Sequence, residues 1–512
     1  MMKRFFALAL AAVMLLPLLG CNTTEPAAPG EAITIQKSTG GNPIGGFDSD
    51  GNLVYGGDPS VMIDGDTLYL YVGHDIAAGE SYVIPEYLCY TTKDMITWNY
   101  EGVVLKMSDV SWANKTSAWA GQVTKHNGKY YFYYCSWDST SAGKQSIGVA
   151  VADDPTGPFV DIGAPLVKGT FTTDQPNDSG SGWHDIDPTV WVETDAQGVE
   201  HRYLCWGNGK LYMCELNEDM VSVKDYNGDG KISFGADVKE KGAPKSFTEA
   251  PWIYRRQDEN GKYYGDYYLF YAYGWREKMA YATTDDLMEG TLTYQDTIMA
   301  PSATSNTNHM AVFDFLGKTW FIYHNGSLPR GSGFRRVACI EELKFDDDGA
   351  IPALEETATG AHGTVSKLTT VKGDVLAHAK FKNSSADTDY PYKNIELGSD
   401  LPGISGYDTY WEIVPGKYDP TVGSYVSIES YNKAGLYISY GATVAYMSQD
   451  HDGKQAVPQT FKTVMGLCGE GVSFECIGNP GKYLAIVDGK ATLTDGSDPQ
   501  ACSFRIETVT IP

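Results

Sequence analysis

Between about residue 50 and residue 350, a Tyr-rich apolar run recurs five times, each time followed by a second alternating run. The first members are residues 68–72, 130–134, 203–206, 267–271 and 320–324, and their followers are 88–91, 147–151, 211–214, 279–283 and 336–340. Aromatic and β-branched residues in short alternating runs read as strands. A repeat of roughly 50 to 70 residues suits the blades of a propeller better than the closer strand spacing of a sandwich. Five copies predict a five-bladed β-propeller over residues 41–352. Each unit is read as beginning with its Tyr-rich run. The heads of the inner strands of such a ring converge at one mouth.

After Pro352 the pattern changes. Residues 353–371 read as a Thr- and Gly-containing connector, and a shorter repeat follows. Tyr425-Val426-Ser427-Ile428-Glu429-Ser430 with Gly435-Leu436-Tyr437-Ile438 matches Gly471-Val472-Ser473-Phe474-Glu475-Cys476 with Gly481-Lys482-Tyr483-Leu484. Unit ends recur at Tyr410-Trp411-Glu412-Ile413, Thr460-Phe461-Lys462-Thr463 and Ser503-Phe504-Arg505-Ile506. Three ends imply three units of roughly 45 residues, the size of β-trefoil repeats. The fold class is therefore all-β, a propeller followed by a β-trefoil-like domain over 372–512. A chain of 512 residues with 35 Tyr and 56 Gly is consistent with two such turn-rich domains.

At the amino terminus, Lys3-Arg4 precedes an apolar run ending at Leu18-Leu19-Gly20-Cys21. The run is too short to span a bilayer and reads as a secretory signal over residues 1–20. Its end resembles a bacterial lipobox, which implies cleavage before Cys21, lipidation of that thiol and anchoring at the bacterial cell surface or membrane. Residues 21–40 would be a tether. The other eight cysteines show no zinc-ligand spacing, and several sit inside strand-like runs, so few disulfides are expected. A formal net charge of -26 argues against a nucleic-acid partner. It does not repel a neutral, hydroxyl-rich ligand, and acidic clefts with aromatic walls suit sugars.

Three acids share one local grammar. Asp58 stands before Pro59 and an apolar run; Asp187 stands before Pro188 and another; Glu249 precedes Pro251 with one residue inserted. A carboxylate packed among apolar residues is costly unless it has a task. Acids at the heads of separate strand-like runs suggest one site assembled from several blades. Asp185 lies on the same strand face as Asp187 and competes for its role. Trp112, Trp119, Trp137, Trp183, Trp252 and Trp275 could stack on sugar rings; most belong to blade cores, and Trp119 and Trp183 are placed near the site. Asp225-Tyr226-Asn227-Gly228-Asp229-Gly230 mimics the start of an EF-hand loop, but Ala236 stands where a bidentate Glu is needed, so a hairpin turn is the better reading.

With these residues in hand, the chain resembles glycoside hydrolase family 43 over about residues 40 to 352. Gly57-Asp58-Pro59, Ile186-Asp187-Pro188 and Thr248-Glu249-Ala250-Pro251 carry the likeness, supported by Trp119-Ala120-Gly121-Gln122-Val123, Thr307-Asn308-His309 and Gly333-Phe334-Arg335-Arg336. The resemblance implies a secreted, inverting, exo-acting α-L-arabinofuranosidase that removes arabinose from arabinan or arabinoxylan. A β-xylosidase on the same site and a non-catalytic surface glycan-binding protein are the alternatives. It implies Asp58 as general base, Glu249 as general acid and Asp187 as the residue that raises and positions the acid. It also implies substrate contacts from His309 and from one of Arg335 and Arg336, with Arg335 chosen. No cofactor is required, and His309 is a candidate calcium ligand in the propeller channel. The carboxy-terminal repeats resemble the arabinofuranose-binding domain, carbohydrate-binding module family 42, through their Gly-x-Tyr steps and the Asp-rich loops at 450–453 and 495–498. That family places a His after the step where this chain has Tyr440 and Ile486-Val487.

Overall fold

The computed structural model describes residues 27–38, 41–140, 144–173, 182–380, 395–450 and 453–509. The segment read as a secretory signal and Cys21 lie outside these residues. Five antiparallel sheets follow one another around a ring. Their innermost strands are Gly56–Asp64, Gly121–His126, Thr189–Thr194, Phe247–Gln257 and Ala311–Phe315. The Tyr-rich runs do not begin the blades, as the sequence reading had it. They are the second strands, Thr67–His74, Lys129–Trp137, Glu200–Trp206, Tyr263–Tyr273 and Lys318–Asn325. The reason is burial. A second strand is paired along both edges and covered on both faces by neighbouring blades, so it carries the most continuous apolar signal. Lys129–Trp137 is buried at every position but its ends.

Four blades have four strands and the fifth has three. Residues 42–44, just ahead of the first blade, add to the edge of the fifth. Ile44 bridges to Ala338, and Asn42 accepts the Ile340 N–H at 2.9 Å while its amide donates to the carbonyls of Ile340 at 3.0 Å and Thr357 at 2.8 Å. Residues ahead of the first blade are thus tied to the outer strand of the fifth.

The carboxy-terminal domain is a β-trefoil. Val365–Thr370, Tyr410–Pro415, Tyr425–Ser430, Phe461–Met465, Val472–Cys476 and Phe504–Val509 pair in sequence, and the last returns to the first. Three hairpins cap this ring, Ala377–Lys380 with Ile395–Gly398, Tyr437–Tyr440 with Ala445–Ser448, and Tyr483–Val487 with Lys490–Thr494. Trp411, Phe461, Phe474 and Phe504, all fully buried, fill the interior. The first barrel strand lies inside the stretch read as a connector; its alternation is short and Thr-rich, which hid it.

The expected tether is not free along residues 27–38. Ile33 donates its N–H to the Thr463 carbonyl at 3.0 Å and Ser38 to that of Ile413 at 2.7 Å. Ile33 and Ile35 pack against the trefoil core. The chain therefore crosses the trefoil before it enters the propeller. Gln449 donates to the Gly326 carbonyl at 2.7 Å, and Arg330 donates its N–H to the Asp450 carbonyl at 3.0 Å. The second trefoil unit, with part of its Asp-rich loop, is seated on the propeller. His451 and Asp452 of that loop lie outside the described residues.

Candidate active site

Each blade contributes a residue at or just before its inner strand to one cavity of about 410 Å³: Asp58, Trp119, Asp187, Glu249 and Thr307. The Pro-containing grammar sets the aim of the acids. Asp58, Asp187 and Ala250, each directly before a proline, have φ of 53°, 60° and 57°. Positive φ is uncommon outside glycine, and the residue before proline favours extended backbone, so these are costly conformations held by their surroundings. In blades one and four a β-bulge falls at the same place, between Gly57 and Ser60 and between Glu249 and Trp252. An extra residue in one strand turns a side chain away from the ladder. It leaves Asp58 and Glu249 lining the mouth.

Asp58 is held by charge. Arg336 donates to its Oδ1 at 2.6 Å. Arg336 in turn is fixed by fully buried Asp75, which accepts from its backbone N–H and Nε at 2.9 Å and from a terminal nitrogen at 3.0 Å. The ring of Tyr82 lies 5.1 Å from the guanidinium. The Asp58 N–H donates to His324 Nδ1 at 3.2 Å, while Nε2 lies 3.0 Å from the Thr307 carbonyl. That arrangement requires the proton on Nε2 and a neutral ring, and burial pushes His324 down to about 3. Burial is the largest single influence and would raise the Asp58 carboxyl, but the charge and hydrogen bond of Arg336, with smaller contributions from His324 and His309, together hold Asp58 below the ordinary carboxylate range.

Glu249 goes the other way. Burial, then the negative charge of Asp58, lifts it to about 7, although Asn208 donates to its Oε2 at 2.6 Å. Asp187 is also pushed well up, by burial and then by Glu249 and Asp58. Its Oδ2 accepts the Ala250 N–H at 2.9 Å, which fixes the backbone beside Glu249. Asp187 and Glu249 therefore bear on one another's charge, and Asp187 also holds the backbone beside Glu249.

Trp119 and Trp183 line the cavity, their rings 5.0 Å apart. Trp137 meets Trp183 edge-on at 5.2 Å. Trp275, 68 % exposed, stands on the rim with Phe334 and Tyr82. Trp112 and Trp252 are core residues whose indole N–H groups bond Asp161 and the Val312 carbonyl. Of the two arginines, Arg336 faces the site. Arg335 turns outward to the carbonyls of Arg330 and Ala77, held in a bridge with Ser332 in the turn before the strand Val337–Leu343. Asp185 is fully buried against Trp206 and Thr172 and does not line the cavity.

His309 is buried behind the floor, its Nδ1 3.9 Å from Asp187 Oδ2. Burial lowers it to about 4, so it is a neutral ring. Beside it the Asn308 side-chain amide is buried without a partner. Calcium takes about six to eight oxygen ligands. Among the described residues no group of three or more His, Cys, Asp or Glu is placed to hold a metal ion, so these side chains do not by themselves fit a calcium cage. The EF-hand-like loop closes on itself, Asp225 accepting the N–H groups of Gly228 and Gly230 at 2.7 Å. All eight cysteines among the described residues are free.

Comparison with known proteins agrees with this geometry. The model of Glycosyl hydrolases family 43 matches residues 54–351. The chain belongs to glycosyl hydrolase family 43. A xylosidase/arabinosidase of Bacteroides ovatus is 29% identical over 341 residues, covering 59% of this chain and 95% of that protein. Xylosidase/arabinosidase 43A of Humicola insolens is 27% identical, covering 58% and 96%, and a β-xylosidase of Xylanibacter ruminicola is 27% identical, covering 59% and 97%. The family 43 assignment makes the protein a glycoside hydrolase. It spans the propeller, where the cavity lies, and stops short of the trefoil.

Several residues of the site carried no sequence signal. Asp75 follows a Tyr-rich strand with no proline after it. Asn208 stands in a turn, and Glu277 in a Trp-Arg-Glu-Lys turn that reads as solvated. Glu277 is nonetheless 2 % exposed and lines the cavity. A tertiary contact alone makes these residues functional, and a local pattern does not record it.

Proposed function

We propose that the protein is an inverting, exo-acting α-L-arabinofuranosidase that removes terminal arabinose from arabinan or arabinoxylan. The observation that carries the chemistry is the divergence of two carboxyls in one cavity: Asp58 held ionised by Arg336 and Glu249 lifted to about 7. Two titratable groups pushed apart by their surroundings divide base from acid. Asp58 takes a proton from water as the water attacks the anomeric carbon. Glu249 gives its proton to the glycosidic oxygen as the C–O bond breaks. Direct displacement of this kind needs the carboxyls ~6.5–9.5 Å apart and inverts the anomeric centre. A cavity of about 410 Å³ is near the small end of ligand sites, which suits one terminal sugar.

The preference for arabinose draws on the trefoil, whose repeats resemble arabinofuranose-binding domains. With the second unit against the propeller, the loop at 495–498 of the third is the candidate contact with polymer. Relatives named β-xylosidase favour the second reading, xylose on the same site. Kinetics on nitrophenyl α-L-arabinofuranoside and nitrophenyl β-D-xyloside separate the two. We expect kcat/KM to favour the arabinofuranoside by about 10-fold or more, the scale on which small pocket differences discriminate. Proton NMR of the first-formed product should show β-arabinofuranose. A preference for xyloside makes the enzyme a β-xylosidase, and retention of configuration contradicts the roles of Asp58 and Glu249.

A further inference from the structure

Glu277 opens the strand Lys278–Thr284 from the turn before it, in the blade that carries Glu249. It is buried at the cavity floor. Its Oε2 accepts the Asn308 N–H at 2.7 Å, and its own N–H donates to the Asn306 carbonyl at 3.3 Å, so both side chain and backbone are fixed. Glu249 and Glu277 line the same cavity, and a hydrogen bond from Glu277 favours the charged form of Glu249. Two carboxyls in hydrogen-bond contact must hold a proton between them, because one has to donate.

We propose that Glu277 is a positioning residue that stays protonated through the reaction and donates its hydrogen to the Glu249 carboxylate formed when Glu249 gives its proton to the leaving oxygen. This rests on the reading of Glu249 as the general acid. Before the step, Glu249 carries the transferable proton and Glu277 its own. After it, the leaving oxygen holds the first, and the second still bridges the pair. Asp58 gains the proton of the attacking water, so charge balances. The groups facing the pair are Asp187 from blade three, Asp58 from blade one and Arg336 from blade five, with His309 beyond Asp187. Burial first, then the charge of Glu249, pushes Glu277 well above the ordinary range, while one backbone N–H favours its charge. Glu249 also accepts from the Asn208 amide at 2.6 Å and so has the better bonded charged form, which leaves the proton of the pair on Glu277. Asp58 weakens the acid in its resting state, and Glu277 stabilises the conjugate base at the moment it forms, an interaction made stronger in the transition state.

Two variants test the proposal through pH profiles of kcat/KM. Glu277→Gln keeps a donor for Glu249 and an acceptor for the Asn308 N–H. It should leave the basic limb within about half a pH unit of wild type and turnover within a few-fold. Glu277→Met removes the donor. The basic limb should move upward, and turnover of an unactivated arabino-oligosaccharide should fall by about 10- to 100-fold, with a smaller loss on the nitrophenyl glycoside. A downward shift of the basic limb in Glu277→Gln would show that Glu277 is a negative charge in the enzyme and overturn the proposal. So would a Glu277→Met protein with wild-type behaviour on both substrates. If Glu277→Met does not fold, the Glu277→Gln profile decides. The underlying reading is checked separately by Glu249→Gln. Equal losses on both substrates in that variant would refute the acid assignment itself, whatever Glu277 does.

Discussion

Gly57 shows how closely the base is fitted. A Cβ built there would stand 2.2 Å from Arg336 Cζ. Any side chain must displace the guanidinium that holds Asp58 ionised. The wild-type profile should rise with pH through the depressed Asp58 pKa and fall as pH rises through about 7, where Glu249 loses its proton. Gly57→Ala should move the acidic limb upward, because burial of Asp58 is then less well opposed, and leave the basic limb nearer its place. An unchanged acidic limb would mean that Arg336 does not set the charge of Asp58. At this scale the sequence was legible where a residue sits in a costly local setting. Asp58 and Asp187 before proline, and Glu249 one step earlier, were visible because that grammar recurs. Arg336 could not be told from Arg335, since strand alternation says that only one faces in but not which. Asp75, Asn208 and Glu277 act through contacts with residues more than 25 positions away. Cys21 lies outside the described residues. We propose that Cys21 carries the lipid anchor; Cys21→Ser should shift the protein from the membrane fraction to the soluble one, and a variant that stays membrane-bound would refute it.

At the scale of elements, the Tyr-rich strands announced five blades but misplaced where each begins. Three of the inner strands are marked by acids, two of them at bulges, more than by hydrophobicity, because that end must face the aqueous mouth. The fifth blade shows the same limit. Nothing local in Asn42 tells that it ties the start of the propeller to its end. Its side chain accepts from Ile340 and donates to Ile340 and Thr357, all at 3.0 Å or less. Asn42→Ala leaves those backbone groups without a side-chain partner at a partly buried joint, at a cost of about 1–3 kcal/mol. Thermal unfolding should begin several degrees lower while KM on the nitrophenyl substrate holds, since Asn42 does not line the cavity. An unaltered unfolding curve would show that the ring is closed by other contacts.

Two domains were legible in the whole molecule because their repeats differ in length; how they are joined was not. Ile33 and Ile35 look like part of a polar leader until the trefoil supplies a surface for them. The joint has a second part, which gives the sharpest test of domain independence. Glu356 accepts from Asn325 at 2.6 Å and Ser302 at 3.1 Å, and Thr357 donates its N–H to Glu341 at 2.9 Å. These residues lie past Pro352 in sequence but are bonded to the propeller. A propeller cut after Pro352 therefore loses the partners of Asn325, Ser302, Glu341 and Asn42 together. One cut after Gly363 keeps them and loses mainly the seat of the second trefoil unit. With both pieces begun at Gly41, so that residues 27–38 leave no unpaired strand, the longer should be the more stable by several degrees and should retain activity on the nitrophenyl glycoside. Buried polar groups left unpaired cost about 1–3 kcal/mol each, enough to unfold a marginal domain. Equal melting temperatures would place the stability of the propeller elsewhere. Loss of folding in both would show that the propeller depends on the trefoil surface that Gln449 and Asp450 bring against Gly326 and Arg330.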